Sequence, residues 1–256
     1  MWRVTPPGPL SEFVDCLWIH EDYGGSHGHE RVLPTTTTDL VFTRHSAKGH
    51  ACTVAGPRAH CIELDTSHPF SAIGVHFKPG GGLPFFDVPT DELRNEVVSL
   101  DILWGRAART LEQQLWEVRT PGERRTLLED ALRARMSTRR VRNPAVACAV
   151  RVIQRSRGGR PIADIAQRIG LPTRRFLDLF RIEVGLSPKA FSRMTRFAAA
   201  LAAVDGTSDV DWSDVALSCG YFDQAHFNHD FRAFAGVTPS EYLRSRTSRT
   251  HLVVSE

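Results

Sequence analysis

The sequence is poor in cysteine, in lysine and in long apolar segments, and each shortage narrows the possible classes of protein. Its five cysteines are odd in number and include no CxxC pair, so neither a disulfide framework nor a zinc knuckle is indicated. No apolar run approaches the roughly 20 residues that a membrane-spanning helix needs. The N-terminus lacks the charged and apolar regions of a signal peptide. We therefore expect a cytoplasmic protein that does not contact a membrane.

What the chain does have is an uneven distribution of charge. Residues 1–138 carry 14 Lys+Arg and 18 Asp+Glu, a net charge of −4, whereas residues 139–256 carry 18 and 11, a net charge of +7. Only three of the 32 basic residues are lysine, and the planar arginine fork can donate two parallel hydrogen bonds to phosphate or guanine. The pattern predicts two domains, the second facing a polyanion; the alternative is a basic surface that is only solvated.

Short apolar runs separated by Gly and Pro occupy the first third of the chain. Three of them, Phe13–Ile19, Asp39–Thr43 and Ala72–Phe77, have the length of strands. In the third run the bulky apolar residues alternate, which places them on one face of a sheet. We expect a β-rich domain over residues 1–99, built as a sandwich or a barrel.

The period becomes helical after residue 99. Apolar residues from Leu100 to Val118 follow one helix, Pro121-Gly122 breaks it, and a second helix follows. We assign residues 100–143 to a helical dimerisation or linker segment, with a polar, basic linker beginning at residue 137. The apolar face of the first helix either forms a dimer or packs against its own sheet; its members are Leu103, Leu111 and Leu115.

The second half of the chain contains an internal repeat. Up to the glycine in the turn, each position of the second copy lies 50 residues after its counterpart in the first copy. Beyond that glycine the offset is 51 residues. The matched positions are Ala166, Gly170, Phe176, Phe180, Gly185, Pro188 and Phe191 in the first copy, and Ala216, Gly220, Phe227, Phe231, Gly236, Pro239 and Tyr242 in the second.

Each copy has the pattern of a helix-turn-helix. A short amphipathic helix ends at a glycine that can adopt the left-handed conformation, and a second amphipathic helix follows after a few residues. Such a second helix can enter the major groove of DNA. In the second copy Asp223 is placed to cap this helix; in the first copy Pro172 cannot, so we expect Thr173 to do so. The alternative is a helical bundle with a duplicated hairpin and no DNA.

The segment from Asp214 to Tyr242 resembles the duplicated helix-turn-helix domain of the AraC family of bacterial transcription regulators. It has an alanine helix, a Gly-aromatic turn, two spaced phenylalanines, and then Gly-x-Thr-Pro followed by an aromatic residue. The resemblance covers about residues 144–246 and leaves residues 247–256 as a tail. It implies two helix-turn-helix units held apart by one long helix near Ala190–Val204, with recognition helices in successive major grooves about 34 Å apart. Duplex DNA is the partner that it implies.

The side chains that contact DNA must lie on the outward faces of the recognition helices. Gln and Asn can contact adenine through two hydrogen bonds, and arginines that follow the buried phenylalanines are candidates for phosphate contacts. Asp178 departs from this pattern, because an acid repels phosphate; it can instead pair with Arg174 or Arg181. The candidate DNA-contacting residues are Arg174, Arg175 and Arg181 in the first copy, and Gln224, Ala225, Asn228, His229 and Arg232 in the second.

The resemblance also implies roles for the first half. In many members a β-rich sensor domain and a dimerisation segment precede the DNA-binding part, so we expect a small-molecule effector, a homodimer as one arrangement, and RNA polymerase as a partner if the protein is an activator. An apolar pocket could be lined by Trp18, Phe42, Val75 and Phe77, although strand aromatics are more often core.

Histidine is the one sign of metal chemistry. Eight of the 11 histidines precede residue 80, and His27-x-His29-Glu30 resembles the first metal motif of cupin enzymes. The glutamate follows too early and no second motif is present, so we expect no metal, no cofactor and no catalytic residue. The sequence therefore predicts an α+β regulator that binds DNA and senses a small molecule. The alternatives are a metal-dependent sensor or enzyme-like β-domain fused to a DNA-binding module, and an architectural DNA binder without effector.

Overall fold

The computed structural model describes residues 2–23, 28–46, 49–136, 142–207, 210–245 and 252–254. A β-rich N-terminal region is followed by a helical C-terminal domain, which is the expected α+β class. Within the described ranges, none of the helices combines the length and the apolar character that crossing a membrane requires.

The described residues of the N-terminal region contain eight strands, of which the sequence predicted three. The predicted runs at residues 13–19, 39–43 and 72–77 all fall on strands, and each of these strands extends two to four residues beyond its run. The strands that were missed are short or carry many polar residues, so they show no clear alternation. The strands are β1 (Trp2–Val4), β2 (Val14–Tyr23), β3 (His29–Val32), β4 (Asp39–His45), β5 (Gly49–Ala55), β6 (Ile62–Asp65), β7 (Phe70–Phe77) and β8 (Val97–Ser99).

Six of these strands form one antiparallel sheet in the order β1-β2-β7-β4-β5-β8. A second sheet has the order β6-β3-β9, where β9 (Leu252–Val254) comes from the C-terminal end of the chain. Strand β9 pairs antiparallel with β3, so that Arg31 lies opposite Val253. The segment predicted as a simple tail thus returns to the N-terminal region.

Helices cover one face of the larger sheet. This face carries residues such as Leu17, Leu40 and Ile73, all of which are buried in one apolar cluster with the helices that follow the sheet. Short 3₁₀ segments at Gly8–Glu12 and Thr90–Leu93 border the sheet. The covering helices are α1 (Leu83–Phe86), α2 (Leu100–Trp104), α3 (Arg106–Glu117) and α4 (Pro121–Arg135).

The predicted pocket does not exist as proposed. Phe42, Val75 and Phe77 are fully buried in the cluster beneath the helices. Trp18 lies on the opposite face, because it pairs with Gly74, and successive residues of a strand point to opposite sides. The four side chains therefore cannot line one cavity.

The helix predicted over residues 100–118 is two helices. Gly105 adopts a positive φ of 59° between α2 and α3, a conformation that glycine tolerates and that breaks the helix. Leu111 and Leu115 of α3 are buried in the cluster with the sheet, and Leu103 packs against it. This apolar face is therefore used within the chain and is not free to form a dimer.

The C-terminal domain consists of helices around a second apolar cluster. The two helix-turn-helix copies share this cluster, and the long helix between them contributes Met194, Phe197 and Leu201 to it. The helices are α5 (Pro144–Arg155), α6 (Ile162–Ile169), α7 (Thr173–Val184), α8 (Pro188–Ala203), α9 (Trp212–Ser218), α10 (Gln224–Ala235) and α11 (Pro239–Ser245).

A buried carboxylate lies where the described chain enters the helical domain. Most of the predicted linker, residues 137–141, falls outside the described residues. The backbone N–H of Asn143 donates to both carboxylate oxygens of Glu183 at 3.1 Å, and Arg142 donates to the carbonyl of Pro79 at 2.7 Å. Burial raises the pKa of Glu183 to about 7, although the bond from Asn143 and the charge of Arg142 act in the opposite direction.

We predict that Glu183→Gln makes folding less sensitive to pH. A folded-state pKa above the unfolded value means that the stabilising contribution is complete below the unfolded pKa and is lost as pH rises through about 7. The free energy of unfolding of the wild-type protein should therefore fall between pH 5.5 and pH 8 by more than that of the variant, as measured by urea denaturation. The exposed Glu92→Gln is the control. An equal fall in wild type and both variants would contradict the assignment.

Candidate nucleic-acid interface

The second helix-turn-helix unit, α9 and α10, has the turn that its sequence predicted. Gly220 has a φ of 78°, in the left-handed region, and turns the chain out of α9. Helix α10 then begins at an aspartate cap, as expected: the Asp223 carboxylate accepts a hydrogen bond from the N–H of His226 at 2.7 Å. These two features set where the recognition helix starts.

Buried phenylalanines fix which face of α10 points inward. Phe227 and Phe231 are fully buried. The ring of Trp212 stacks on Phe227 with centroids 5.7 Å apart, and Phe197 of α8 meets Phe231 edge-on at 5.1 Å. The opposite face of α10 is exposed and carries the predicted contacts Gln224, Ala225, Asn228, His229 and Arg232.

Four of these five residues line one groove on the surface. Its volume is about 700 Å³, and the first turn of α11 forms its far side. Ala225 is exposed but does not line it. The groove also includes residues that sequence reasoning did not single out. Its lining consists of Trp212, Gln224, Asn228, His229, Arg232, Ala233, Thr238, Pro239 and Ser240.

A hydroxyl group from the first helix of the unit orients one predicted base reader. Ser213 donates to the side-chain oxygen of Gln224 at 3.0 Å. An amide held in one orientation loses less conformational entropy on binding than a free one. The sequence alone does not predict this role of Ser213, because the contact depends on how α9 packs against α10.

A buried ion pair ties the recognition helix to the long helix. Asp230 of α10 is 2% exposed and accepts two hydrogen bonds from Arg193 of α8, at 2.6 Å from Nη2 and 3.3 Å from Nε. The hydrogen bonding of Arg193 to the Asp230 carboxylate is the main reason that the pKa of Arg193 is raised above its usual value. The pair positions α10 without itself facing the groove, and no local pattern predicts it because the two residues are far apart in the chain.

The first unit, α6 and α7, repeats the arrangement with differences. Phe176 and Phe180 are fully buried, and Arg174, Arg175 and Asp178 line a second groove on the outer face of α7. Helix α7 has Pro172 at its N-cap and no side-chain cap. The expectation that Thr173 would cap this helix is therefore wrong, because Thr173 is already its first residue.

Arg181 has a partner that the sequence did not suggest. Its guanidinium Nε lies 3.4 Å from a carboxylate oxygen of Asp91, in the N-terminal region. Within the described part of the chain, Asp178 does not form the ion pair expected with Arg174 or Arg181. The exit from α7 is close to the same region, since a β-carbon on Gly185 would lie 2.9 Å from the carbonyl oxygen of Thr90. The predicted phosphate contact of the first unit is thus engaged within the protein.

Metal ligands do not gather in the described ranges. No group of three or more His, Cys, Asp or Glu side chains that could hold an ion occurs among the described residues. His27 of the cupin-like motif lies outside those residues, while Glu30 is buried and accepts a hydrogen bond from the Tyr23 hydroxyl.

Two protein-family models match the chain. Residues 157–245 match a helix-turn-helix domain, and residues 2–99 match a domain of unknown function, DUF6597. No curated protein matches the chain.

Solved structures that resemble the chain include a probable AraC family transcriptional regulator from Rhodopseudomonas palustris. It is 30% identical over 40% of this chain and 96% of its own, with a TM-score of 0.36. The C-terminal domain of AraT, a response regulator from Geobacillus stearothermophilus, is 23% identical over 41% of this chain and 88% of its own, with a TM-score of 0.39. ToxT from Vibrio cholerae is 10% identical over 89% of this chain and 96% of its own, with a TM-score of 0.46.

The helix-turn-helix match and the duplicated units define the class: the protein is a DNA-binding transcription regulator. The C-terminal helix-turn-helix domain of the chain is of the AraC type.

We predict that loss of a base-contacting residue of α10 changes sequence preference, whereas loss of a phosphate-contacting residue changes overall affinity and its salt dependence. Gln224→Ala or Asn228→Ala should relax base preference at particular positions by about 1–3 kcal/mol each. Arg232→Ala should weaken binding to all sequences alike and lower the salt slope by about one unit. Fluorescence anisotropy with substituted duplexes at several salt concentrations measures both. The groove assignment is wrong if Gln224→Ala and Asn228→Ala keep the wild-type preference at every position.

We predict that Asp91→Asn increases DNA affinity modestly. Removing the carboxylate frees Arg181 for a phosphate, and because a surface ion pair contributes at most about 1 kcal/mol, the gain should be at most about fivefold. The slope of affinity against salt should become steeper by up to about one unit. Glu92→Gln removes a neighbouring exposed charge and leaves the pair intact, so it is the matched control. Equal effects of both variants would show that DNA affinity responds to the net charge of the protein and not to loss of the Asp91–Arg181 pair.

Proposed function

We propose that this protein binds duplex DNA in a sequence-specific manner and regulates transcription in response to a small molecule. The observation that carries the first part is the groove along α10, where Gln224, Asn228, His229 and Arg232 converge from one exposed helix face. Amide, imidazole and guanidinium groups together supply the donors and acceptors that base edges and phosphates require. Arg174 and Arg175 line the corresponding groove of α7 and act on the neighbouring part of the site.

The domain boundaries belong to this proposal. Residues 1–99 form the sensor, 100–143 the helical connecting segment and 144–246 the DNA-binding domain. Two apolar clusters support the boundary near residue 143, because one joins the larger sheet with α1 to α4 and the other is built mainly from α5 to α11. Within the tail, 247–256, strand β9 pairs with β3 of the sensor.

The sensor acts by changing the balance between two arrangements of the chain. A ligand can do so only if its affinity for the two arrangements differs. Contacts between the regions supply the link: the Asp91–Arg181 pair engages a DNA contact, and Leu33 and Ala59 of the sensor pack against the core of the DNA-binding domain. A shift of these residues therefore reaches α7 directly.

Further partners follow from this role. DNA binding places the protein in the bacterial cytoplasm, RNA polymerase is its partner if it activates, and a homodimer is one assembly that would pair two sites. The metal-sensor alternative predicts a stoichiometric metal in protein purified without chelator. The architectural alternative predicts that no small molecule alters DNA binding.

The central experiment is selection of bound duplexes from a random pool by the full-length protein. We expect enrichment of a site spanning about two helical turns, because two recognition helices occupy successive major grooves. Arg174→Ala should degrade preference in one half of that site and Gln224→Ala in the other, while the exposed Arg119→Ala, in the N-terminal half, leaves both unchanged. A repeated site would indicate a dimer. If the pool enriches no sequence, the proposal fails.

A further inference from the structure

One arginine of the sensor region is buried without a charge partner. Arg58 is 5% exposed, and its Nε is fully shielded from solvent. Across the described ranges its guanidinium forms no ion pair and no hydrogen bond. Burial lowers the pKa of Arg58, and only the charge of Asp39 acts in the other direction. An arginine is rarely buried unless it is paired, since removing an unpaired charge from water costs several kcal/mol.

The nearby carboxylate is already engaged. Asp39 accepts a hydrogen bond from Nδ1 of His76, which lies directly opposite it in the sheet. Although burial lowers the pKa of His76, the charge of Asp39 and this hydrogen bond raise it overall. Arg3 and Asp15, the other charged groups that act on His76, pair with each other at 2.8 Å. With His76 protonated, the group therefore has one positive charge in excess.

Two hydroxyl groups connect Arg58 to His76. Thr35 and Arg58 exchange backbone hydrogen bonds of 3.1 Å and 2.8 Å, and residues paired in this way project their side chains to the same side. The hydroxyls of Thr35 and Thr37 are 2.6 Å apart, and that of Thr37 is 3.4 Å from Nε2 of His76. Guanidinium, hydroxyl and imidazole groups are the donors that recognise a carboxylate.

An aromatic surface lies beside this group on the same face of the sheet. The row of Asp39, His76 and Cys16 is adjacent to the row that contains Trp18 and Gly74. A β-carbon on Gly74 would lie 2.3 Å from the Trp18 ring, so the ring rests on the glycine backbone. The side chain of Trp18 is only partly buried. A ligand held by its carboxylate would place an apolar or aromatic body against this ring.

We propose that Arg58, His76, Thr35 and Thr37 bind the carboxylate of a small organic monoanion whose apolar body packs on Trp18. This inference deepens the proposed function and rests on it, because it names the class of effector. The site is also next to the DNA-binding domain. Pro57 precedes Arg58, and a β-carbon on Gly185, at the end of recognition helix α7, would lie 2.6 Å from Pro57 Cγ. A ligand that moves Arg58 thus acts beside α7.

The test is thermal unfolding and titration calorimetry of the full-length protein with benzoate, using benzamide as the uncharged analogue and acetate as the anion without an aromatic body. Benzoate should raise the thermal midpoint of the wild-type protein in a saturable manner, acetate less, and benzamide not at all. Arg58→Gln should weaken benzoate binding by about tenfold or more, since it removes a charged hydrogen-bond donor. The exposed Arg94→Gln should bind as wild type does.

Variants without ligand separate a binding role from a structural one. If Arg58 is unpaired until an anion binds, the ligand-free Arg58→Gln variant should unfold at a temperature no lower than wild type, because the unpaired buried charge has been removed. A lower midpoint for Arg58→Gln, or a wild-type protein that responds equally to benzoate and benzamide or to neither, would overturn the proposal.

DNA binding of the same proteins distinguishes this proposal from the proposed function. Arg58→Gln should bind the selected duplex as wild type does but lose any effect of benzoate on that binding. If benzoate binds but does not change DNA binding, the carboxylate site is supported and its role in sensing is contradicted. If neither the wild-type protein nor the variants bind DNA, the proposed function is contradicted. The calorimetry would still test whether benzoate binds at Arg58.

Discussion

Phe176, Phe180, Phe227 and Phe231 are fully buried in the core that both helix-turn-helix units share. A helix whose large side chains are fixed in a close-packed core cannot rotate about its axis without opening cavities that cost several kcal/mol. The outward face of each recognition helix is therefore set by what lies beneath it. The candidate DNA contacts are exposed because the phenylalanines are not.

The same core extends beyond the two units. Helix α8 joins them through residues such as Met194 and Phe197, and the Arg193–Asp230 pair adds a directional contact that apolar packing cannot supply. Breaking such a buried pair leaves an uncompensated charge, which makes it a strong constraint on position. Leu33, from the N-terminal region, is also part of this core. The N-terminal region is consequently in contact with the core that holds the recognition helices.

Local patterns predicted the helical half better than the β-rich half. The cap at Asp223 and the turn at Gly220 depend on residues within a few positions of one another, so both could be predicted from the sequence. Strands β3 and β6, in contrast, are four residues long, and they pair with each other and, in the case of β3, also with β9, over distances in sequence that no local pattern reports. The break at Gly105 was not predicted, because the apolar spacing continues across it, and only the structure shows its positive φ of 59°.

By itself, the sequence determined the duplicated helix-turn-helix units, the inward phenylalanines and the outward polar residues, because helical periodicity and capping are short-range properties. The tertiary structure alone decided which of those residues share a groove, that Arg181 is engaged by Asp91, that Arg58 is buried without a partner, and that three presumed pocket residues are core. Each of these depends on side chains brought together from distant parts of the chain. Burial and charge pairing are properties of that assembly, and no local spacing encodes them.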